Sequence, residues 1–513
     1  MPIAKKTKTF YITTPIYYVN AAPHIGHAYT TVAADILARW KKLEREEYFF
    51  LTGTDEHGLK IQKKAEEAGK NPQQFVDEIS DGFKILWKKL NIDYSNFIRT
   101  SDLFHKKAVQ SALRVLWDRK AIYKGSYEGL YCVGCEQFKM ETDLVNGKCP
   151  DHNTAPEHLK EECYLLKMAE MQGALVKKIE TDEFCIAPNK YKIEILSFLK
   201  KQKLKDISIS RKNVSWGIPL PFDTVHTTYV WVDAFLNYLT GIGWEGNPDK
   251  ISSQWPPEVQ LIGKDILRVH ATIWPVILMH LGIDLPKKLF THGHILAGGK
   301  KMSKTLGNTI AVDEMIKKFG ADATRYLLMS AGTFGEDVDL TMERAAGKYE
   351  ANLANGLGNL VARSLAMAEK IKTESGKWKV ESGTQKSKME IDIENYWKKY
   401  EEAINNYKLN EAMNEIWKFI SACDEYIEEN KPWKLEGNEK EEAIYNLLES
   451  LRHIAWMLRP FMPETSDKIF SQLFADEKER AVELSKVLNE AQKWGGMKIG
   501  AKIKKGENLF PRL

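Results

Sequence analysis

Two stretches of this chain, far apart in sequence, show the same alternation of strand, helix and strand, and that alternation restricts the fold more than any other feature. Residues 9–14 form a short apolar strand, 15–23 an aromatic-rich loop, 26–43 a helical pattern (Ala28, Val32, Ile36, Leu37, Trp40) and 48–52 a second strand. The order returns with a strand at 259–262, a helix at 265–281 and a strand at 289–296 that runs into Gly298-Gly299 and a lysine-rich loop. Strands alternating with helices imply a parallel sheet whose ligands sit at the carboxyl ends of its strands. Between these halves, residues 113–224 hold five of the six cysteines, and after about residue 325 strand signals stop. Residues 341–371 read as one amphipathic helix, 372–390 as a polar linker, and 396–473 as a helical bundle with apolar positions such as Ala403, Tyr407, Ala412, Ile416 and Ile420. The expected fold class is α/β with an inserted segment, followed by an all-α region.

At 513 residues, two or three domains are expected, and 43% hydrophobic with 28% charged residues describes an ordinary globular chain. The balance of 74 basic against 70 acidic residues leaves only +4, so charge alone does not single out a polyanion partner. No apolar run reaches the roughly 20 residues of a membrane span, and the basic start passes straight into a strand with no secretory signal pattern. A cytoplasmic protein is expected.

Three clusters carry chemistry. Pro23-His24-Ile25-Gly26-His27 joins a strand to a helix start, where two imidazoles can donate to phosphate oxygens and Gly26 lets the backbone approach closely. Lys300-Lys301-Met302-Ser303-Lys304-Thr305 follows a Gly-Gly pair, so Lys301 and Lys304 can swing onto a triphosphate. Taken singly, these strings also fit a pair of surface histidines and a solvated basic turn. Cys132-Val133-Gly134-Cys135 and Cys149-Pro150-Asp151-His152 have the spacing of a structural zinc knuckle, with Cys132, Cys135, Cys149 and His152 as ligands. Cys163 and His158 are looser-spaced competitors for the fourth place.

Together, the two phosphate-directed strings make the chain resemble the class I aminoacyl-tRNA synthetases, whose signatures read HIGH and KMSKS, with Thr305 here in place of the last Ser. The segments TPIYYVN (14–20), TGTDEHG (52–58), YVWVDA (229–234) and GKDI (263–266), extended by His270 and Trp274-Pro275, are similar to the methionyl branch of that class. The resemblance covers essentially the whole chain and implies a Rossmann-like catalytic domain in two halves (1–112 and 225–325), a connective insertion with one zinc knuckle (113–224), junction helices (326–371) and an anticodon-binding bundle (372–513). It implies that Ile16, Tyr18, Trp231, Ala234, Tyr238 and His270 form a methionine pocket and that Asp55 holds the substrate ammonium. ATP would lie on Pro23, His24, Gly26, His27, Lys301, Met302, Ser303 and Lys304, with Mg²⁺ bound mainly through its phosphates. Asn352, Arg363 and Trp433 would read the anticodon of initiator and elongator tRNA(Met), with Arg363 acting where Gly356 replaces an Arg found in some members. The expected activity is methionine activation by ATP and transfer to tRNA. No appended dimerisation module follows the helices, so a monomer is expected. A different synthetase, or a nucleotidylyltransferase sharing the first motif, leaves the helical region, the knuckle and the Trp231 segment unexplained. A non-catalytic tRNA-binding relative is expected to have lost one of the two histidines or two lysines.

Overall fold

The computed structural model describes residues 9–132, 137–139, 141, 144–150, 153–212, 214–302, 309–375, 387–497 and 503–513. In chain order, β1 (Phe10–Tyr18) leads to α1 (Ile25–Leu43), β2 (Tyr48–Asp55), α2 (Leu59–Glu67), α3 (Pro72–Lys89), β3 (Asn96–Arg99) and α4 (Leu103–Asp118). Then come β4 (Ile122–Cys132), β5 (Gln137–Lys139), β6 (Glu157–Leu166), α5 (Gln172–Glu180), β7 (Cys185–Ala187) and α6 (Asn189–Lys201). Four short strands follow, β8 (Ile207–Ser208), β9 (Ser210–Arg211), β10 (Pro219–Leu220) and β11 (Asp223–Thr228), before α7 (Val230–Phe235), α8 (Asn237–Thr240), β12 (Val259–Gly263), α9 (Leu267–Leu281) and β13 (Lys288–His292). The remainder is β14 (Ile295–Ala297), β15 (Lys300–Lys301), α10 (Val312–Phe319), α11 (Ala321–Met329), β16 (Val338–Asp339), α12 (Met342–Lys348), α13 (Asn359–Ser375), α14 (Lys388–Asn405), α15 (Leu409–Asn430), α16 (Gly437–Leu458), α17 (Pro463–Leu473), α18 (Glu477–Ser485) and α19 (Leu488–Ala491). The chain divides into two compact units, one of Met1–Pro23, Glu47–Leu86 and Tyr94–His292, the other of His24–Glu46, Trp87–Asp93 and Gly293–Leu513.

The first unit is built on a parallel six-stranded sheet of order β3-β2-β1-β12-β13-β7. Its strands read as apolar runs because both faces are buried, as with Tyr11, Ile12, Phe50, Leu51, Leu261 and Leu289. Strand order reverses at β1, with β2 and β3 on one side and β12 and β13 on the other, which is the topological switch where α/β sheets bind ligands. The edge strand β7 comes from within the segment 113–224, while β4, β5, β6 and β8 form a separate antiparallel sheet. Strands β1 and β2 run further than their apolar cores, to Tyr18 and Asp55, because parallel pairing continues past a register shift around Thr14-Pro15.

In the second unit the lysine loop begins as a hairpin. β15 pairs back on β14 through Gly298-Gly299, whose φ values of 60° and 73° are those of a two-residue turn open chiefly to glycine. The apolar run 289–296 is therefore two strands in two sheets, since β14 leaves β13 to pair with β16. The expected single helix over 341–371 is α12 and α13 joined by a π-helical stretch, Tyr349–Gly358. Tyr407, expected inside a continuous helical pattern, occupies the left-handed turn between α14 and α15. A buried charge cluster closes the bundle. Glu449 accepts from Arg452 and from the backbone N–H groups of Gly495, Gly496 and Met497, while Arg452 also pairs with Glu483 at 2.9 Å.

Candidate active site

Strand alternation puts Ile16 and Tyr18 on one face of β1, while Tyr17 on the other face stacks on Phe83 with ring centroids 5.5 Å apart. Register sets Tyr18 beside Asp55, and Asp55 is half-buried at the carboxyl end of β2. Facing elements of the same unit contribute an aromatic wall: Trp231 lies 5.7 Å from Phe235, and Phe235 lies 5.0 Å from His270, edge to face. The Tyr238 ring is 5.7 Å from Trp274.

The polar atoms of this wall satisfy one another. His270 Nδ1 lies 3.0 Å from the Ile266 carbonyl, which can only accept, so Nδ1 carries the proton and Nε2 accepts from the Tyr238 hydroxyl at 2.9 Å. Burial lowers the His270 pKa to about 4, so its ring is neutral. Of these rings only Trp231 is partly open, and Phe235, Tyr238, His270 and Trp274 are buried behind it.

Sequence reasoning missed the layer beneath. Asp233, fully buried on α7 between Trp231 and Ala234, binds His57 Nδ1 at 2.6 Å and His105 Nε2 at 2.8 Å. Burial pushes its pKa up, but the two imidazoles outweigh that and hold it down at about 2. This carboxylate ties the helix carrying Trp231 to the loop that follows Asp55. Glu56, in the same loop, is gripped by both arms of Arg99 at 2.7 and 2.9 Å. One signal was available in the sequence: His105 falls on the apolar stripe of α4 with Ala108, Val109, Ala112 and Leu116, where a histidine needs a buried partner.

These shifts fix the response to acid. Both folded-state pKa values lie below the unfolded ones, so the unfolded chain binds more protons and stability falls as pH falls. His270 acts between pH of about 6.5 and 4, costing up to about 3 kcal/mol, and Asp233 acts below about 4. Urea midpoints are expected to drop between about pH 7 and pH 4.5, and less in a His270→Gln variant. An unchanged midpoint in the native chain would contradict the buried neutral imidazole.

In the second unit, His24 is the N-cap of α1. Its Nδ1 accepts from the Gly26 N–H at 3.1 Å, and His27 Nδ1 accepts from the His24 N–H at 3.2 Å, a reciprocal capping box. A backbone N–H only donates, so each neutral ring carries its proton on Nε2. The stacked rings, 3.6 Å apart, thus present two N–H donors at a helix N-terminus. Partial burial, and then the His24 ring, hold His27 well below its usual pKa, which keeps it neutral. Gly26 is needed on local grounds, because a Cβ there would meet the His24 ring at 3.0 Å. Pro23 precedes this cap, Lys301 ends β15 and Met302 follows it, whereas Ser303 and Lys304 lie outside the described residues.

Cys132 ends β4 and Cys149 opens a tight turn closed by Asn153 N–H to Cys149 O at 2.7 Å and Cys149 N–H to Thr154 O at 2.9 Å. Both side chains are buried. Cys135 and His152 lie outside the described residues, and among the described residues no three ligating side chains converge. Strand register removes Cys163 from the competition: it pairs with Gly125, roughly 20 Å along β4 from Cys132. His158 pairs with Leu130, and its ring is exposed beside Glu128. In the bundle, Trp433 is 51% exposed just after α15, and Arg363 pairs at 3.0 Å with Glu428 in the last turns of that helix. Asn352, on the π-helical stretch, donates to the Tyr326 hydroxyl at 2.6 Å.

Residues 10–156 and 139–365 match the family model described as tRNA synthetases class I (M), and 388–505 match the anticodon-binding domain of tRNA ligases. Fold and family model together place the chain among the class I aminoacyl-tRNA synthetases. The methionine–tRNA ligase of Clostridium acetobutylicum is 44% identical over 99% of this chain and 78% of its own length, and that of Streptomyces coelicolor is 39% identical over 99% and 97%. The Mycobacterium tuberculosis methionyl-tRNA synthetase in complex with methionyl-adenylate superposes with a TM-score of 0.90 at 32% identity, over 98% of this chain and 100% of that one. The chain belongs to the methionine–tRNA ligase family. Among the described residues no helix is long and apolar enough to cross a membrane.

Proposed function

We propose that this chain activates L-methionine with ATP and transfers it to the 3′-terminal adenosine of tRNA(Met), initiator and elongator alike, using the residues above. A methionine carboxylate oxygen attacks the α-phosphorus in line and pyrophosphate leaves. The terminal ribose hydroxyl then attacks the adenylate carbonyl and AMP leaves. No side chain forms a covalent bond. His24 and His27 donate to the phosphates from Nε2, Lys301 and Lys304 meet the charge that grows on the leaving pyrophosphate, and Pro23, Gly26, Met302 and Ser303 line the nucleotide. Mg²⁺ would be held mainly by the ATP phosphates and would offset their charge.

The observation that carries this reading is the half-buried Asp55 carboxylate in register with Tyr18, in the same unit as an aromatic wall whose polar atoms are already satisfied. A carboxylate suits the substrate ammonium, and aromatic edges suit a polarizable thioether. Ile16, Trp231, Ala234, Tyr238 and His270 complete that lining. Trp231→Ala is expected to raise the methionine KM by roughly tenfold to a hundredfold, the effect of about 1.5–3 kcal/mol of lost apolar contact, with the ATP KM nearly unchanged. Steady-state exchange kinetics in each substrate check this, and an equal rise in both constants would count against it. The activity itself is tested by methionine-dependent charging of tRNA(Met) transcripts, with the adenylate trapped by acid quench.

Cys132, Cys135, Cys149 and His152 hold one structural Zn²⁺. The reading is supported by the buried Cys132 and Cys149 thiols, the tight turn at Cys149 and the removal of Cys163 by register. When bound, the ion would cross-link the Cys132/Cys135 and Cys149/His152 pairs, and four protein ligands would leave no open position for chemistry. Chelation, or Cys149→Ser, is expected to release about one zinc per chain and loosen the insertion. Elemental analysis finding no zinc in freshly purified protein would refute the knuckle.

Asn352, Arg363 and Trp433 read the anticodon, supported by the exposed indole beside the turn that ends α15. The chain acts in the cytoplasm, where ATP and tRNA meet. We also propose that it works as a monomer.

A further inference from the structure

The helix that carries His24 and His27 at its start is fastened to the bundle along its length, by contacts that the chemistry above does not use. Tyr29 packs on Phe334 at 5.6 Å, and the Phe334 N–H donates to Asn410 at 3.1 Å. Trp40 donates to Asn405 at 3.0 Å and meets the Tyr400 ring at 5.6 Å. Beyond the helix, Arg45 donates to the Ser485 carbonyl at 2.8 Å.

In the middle of this seam lies a fully desolvated charge. Arg325 of α11, 0% exposed, donates to the carbonyls of Phe461 at 2.8 Å, Pro460 at 2.9 Å and Leu90 at 3.1 Å, and pairs with Asp35 of α1 at 2.6 Å. Asp35, equally buried, also accepts from Arg39 and from the Asp93 N–H, both at 2.7 Å. One turn before Arg325, Asp322 accepts from the Thr465 N–H at 2.6 Å in the first turn of α17. A buried ion pair is seldom a net source of stability, so the geometry it enforces is the better account of its presence. A guanidinium is a rigid planar fork, and four fixed acceptors leave it one position. Any shift of the turn between α16 and α17 therefore moves Arg325, and through Asp35 moves α1. Asp35 stands three turns from His24 on the same face of a stiff helix, roughly 16 Å away.

We propose that Arg325 is a positioning residue that couples the bundle to α1, so that anticodon engagement sets where His24 and His27 stand during catalysis. This rests on reading the bundle as the anticodon binder and the two histidines as phosphate donors. Arg325→Lys keeps the charge facing Asp35 and loses the fork to Pro460 and Phe461. It is expected to narrow the ratio of kcat/KM for cognate tRNA over tRNA with an altered anticodon by about tenfold, while tRNA-free pyrophosphate exchange and the Kd for tRNA stay within about twofold. Asp35→Asn, which cuts the charge pair from the other side and leaves the three carbonyl contacts, is expected to do the same and carries the test if the lysine variant does not fold.

Unchanged discrimination in a folded variant would overturn the coupling. So would a parallel fall of exchange, charging and Tm, the mark of a merely structural residue. A native enzyme that fails to charge tRNA with methionine would overturn the underlying reading instead.

Discussion

His27→Ala is expected to slow methionyl-adenylate formation on the order of a hundredfold, about 2.7 kcal/mol, and to leave methionine binding nearly unchanged. The His24 backbone N–H donates to His27 Nδ1, so the neutral ring keeps its proton on Nε2 and offers a single preorganised donor. The charge that donor meets grows as pyrophosphate departs, so its loss falls on the transition state more than on the ground state. Alanine also removes half of the capping box, a loss of about 1 kcal/mol of helix stability that a Tm measurement separates from the catalytic effect. Gln places an amide nitrogen near the Nε2 position and Asn does not. His27→Gln is therefore expected to recover more of the exchange rate than His27→Asn. Equal activity in the two variants would mean that Nε2 donates to nothing that matters for catalysis.

Trp433→Ala is expected to cripple tRNA charging by roughly tenfold to more than a hundredfold, the loss of 1–3 kcal/mol of base stacking. Methionine-dependent pyrophosphate exchange needs no tRNA and is expected to stay unchanged. The alternative, a bundle-packing tryptophan, predicts lost stability. With 51% of its surface exposed, the indole has little packing to lose, so Tm is expected to hold. The drop should fall on tRNA with the methionine anticodon and spare non-cognate tRNA that is already poorly charged, so discrimination narrows. Tm, exchange and charging measured on one preparation separate the cases, and equal loss in all three would mean that the indole supports the fold rather than a base.

The legible parts of the molecule were those set by short-range pattern. Helix α1 and strands β2 and β12 appear close to where periodicity and turn residues put them, because each buries a continuous apolar face. The break between β13 and β14 was not legible, since apolarity alone does not tell which sheet a strand joins. Tyr407 kept helical spacing while occupying a left-handed turn, so spacing concealed the end of α14.

At the site, residues at the strand ends were readable because a parallel sheet delivers ligands there. Asp233, His57 and Arg325 were not, because their partners lie far away in sequence and only the closed fold brings the charges together, and His105 showed its place on an apolar stripe but not its partner. Cys163 shows the converse: near Cys149 in sequence, it is carried away from Cys132 by strand register.

Whether the proposed pocket beside Asp55 selects methionine for activation is decided by ATP–pyrophosphate exchange with each of the twenty amino acids in turn. Exchange that depends on methionine, with the other nineteen near background, is the predicted result. Exchange driven by a different amino acid, or none with methionine in the presence of ATP and Mg²⁺, would contradict it.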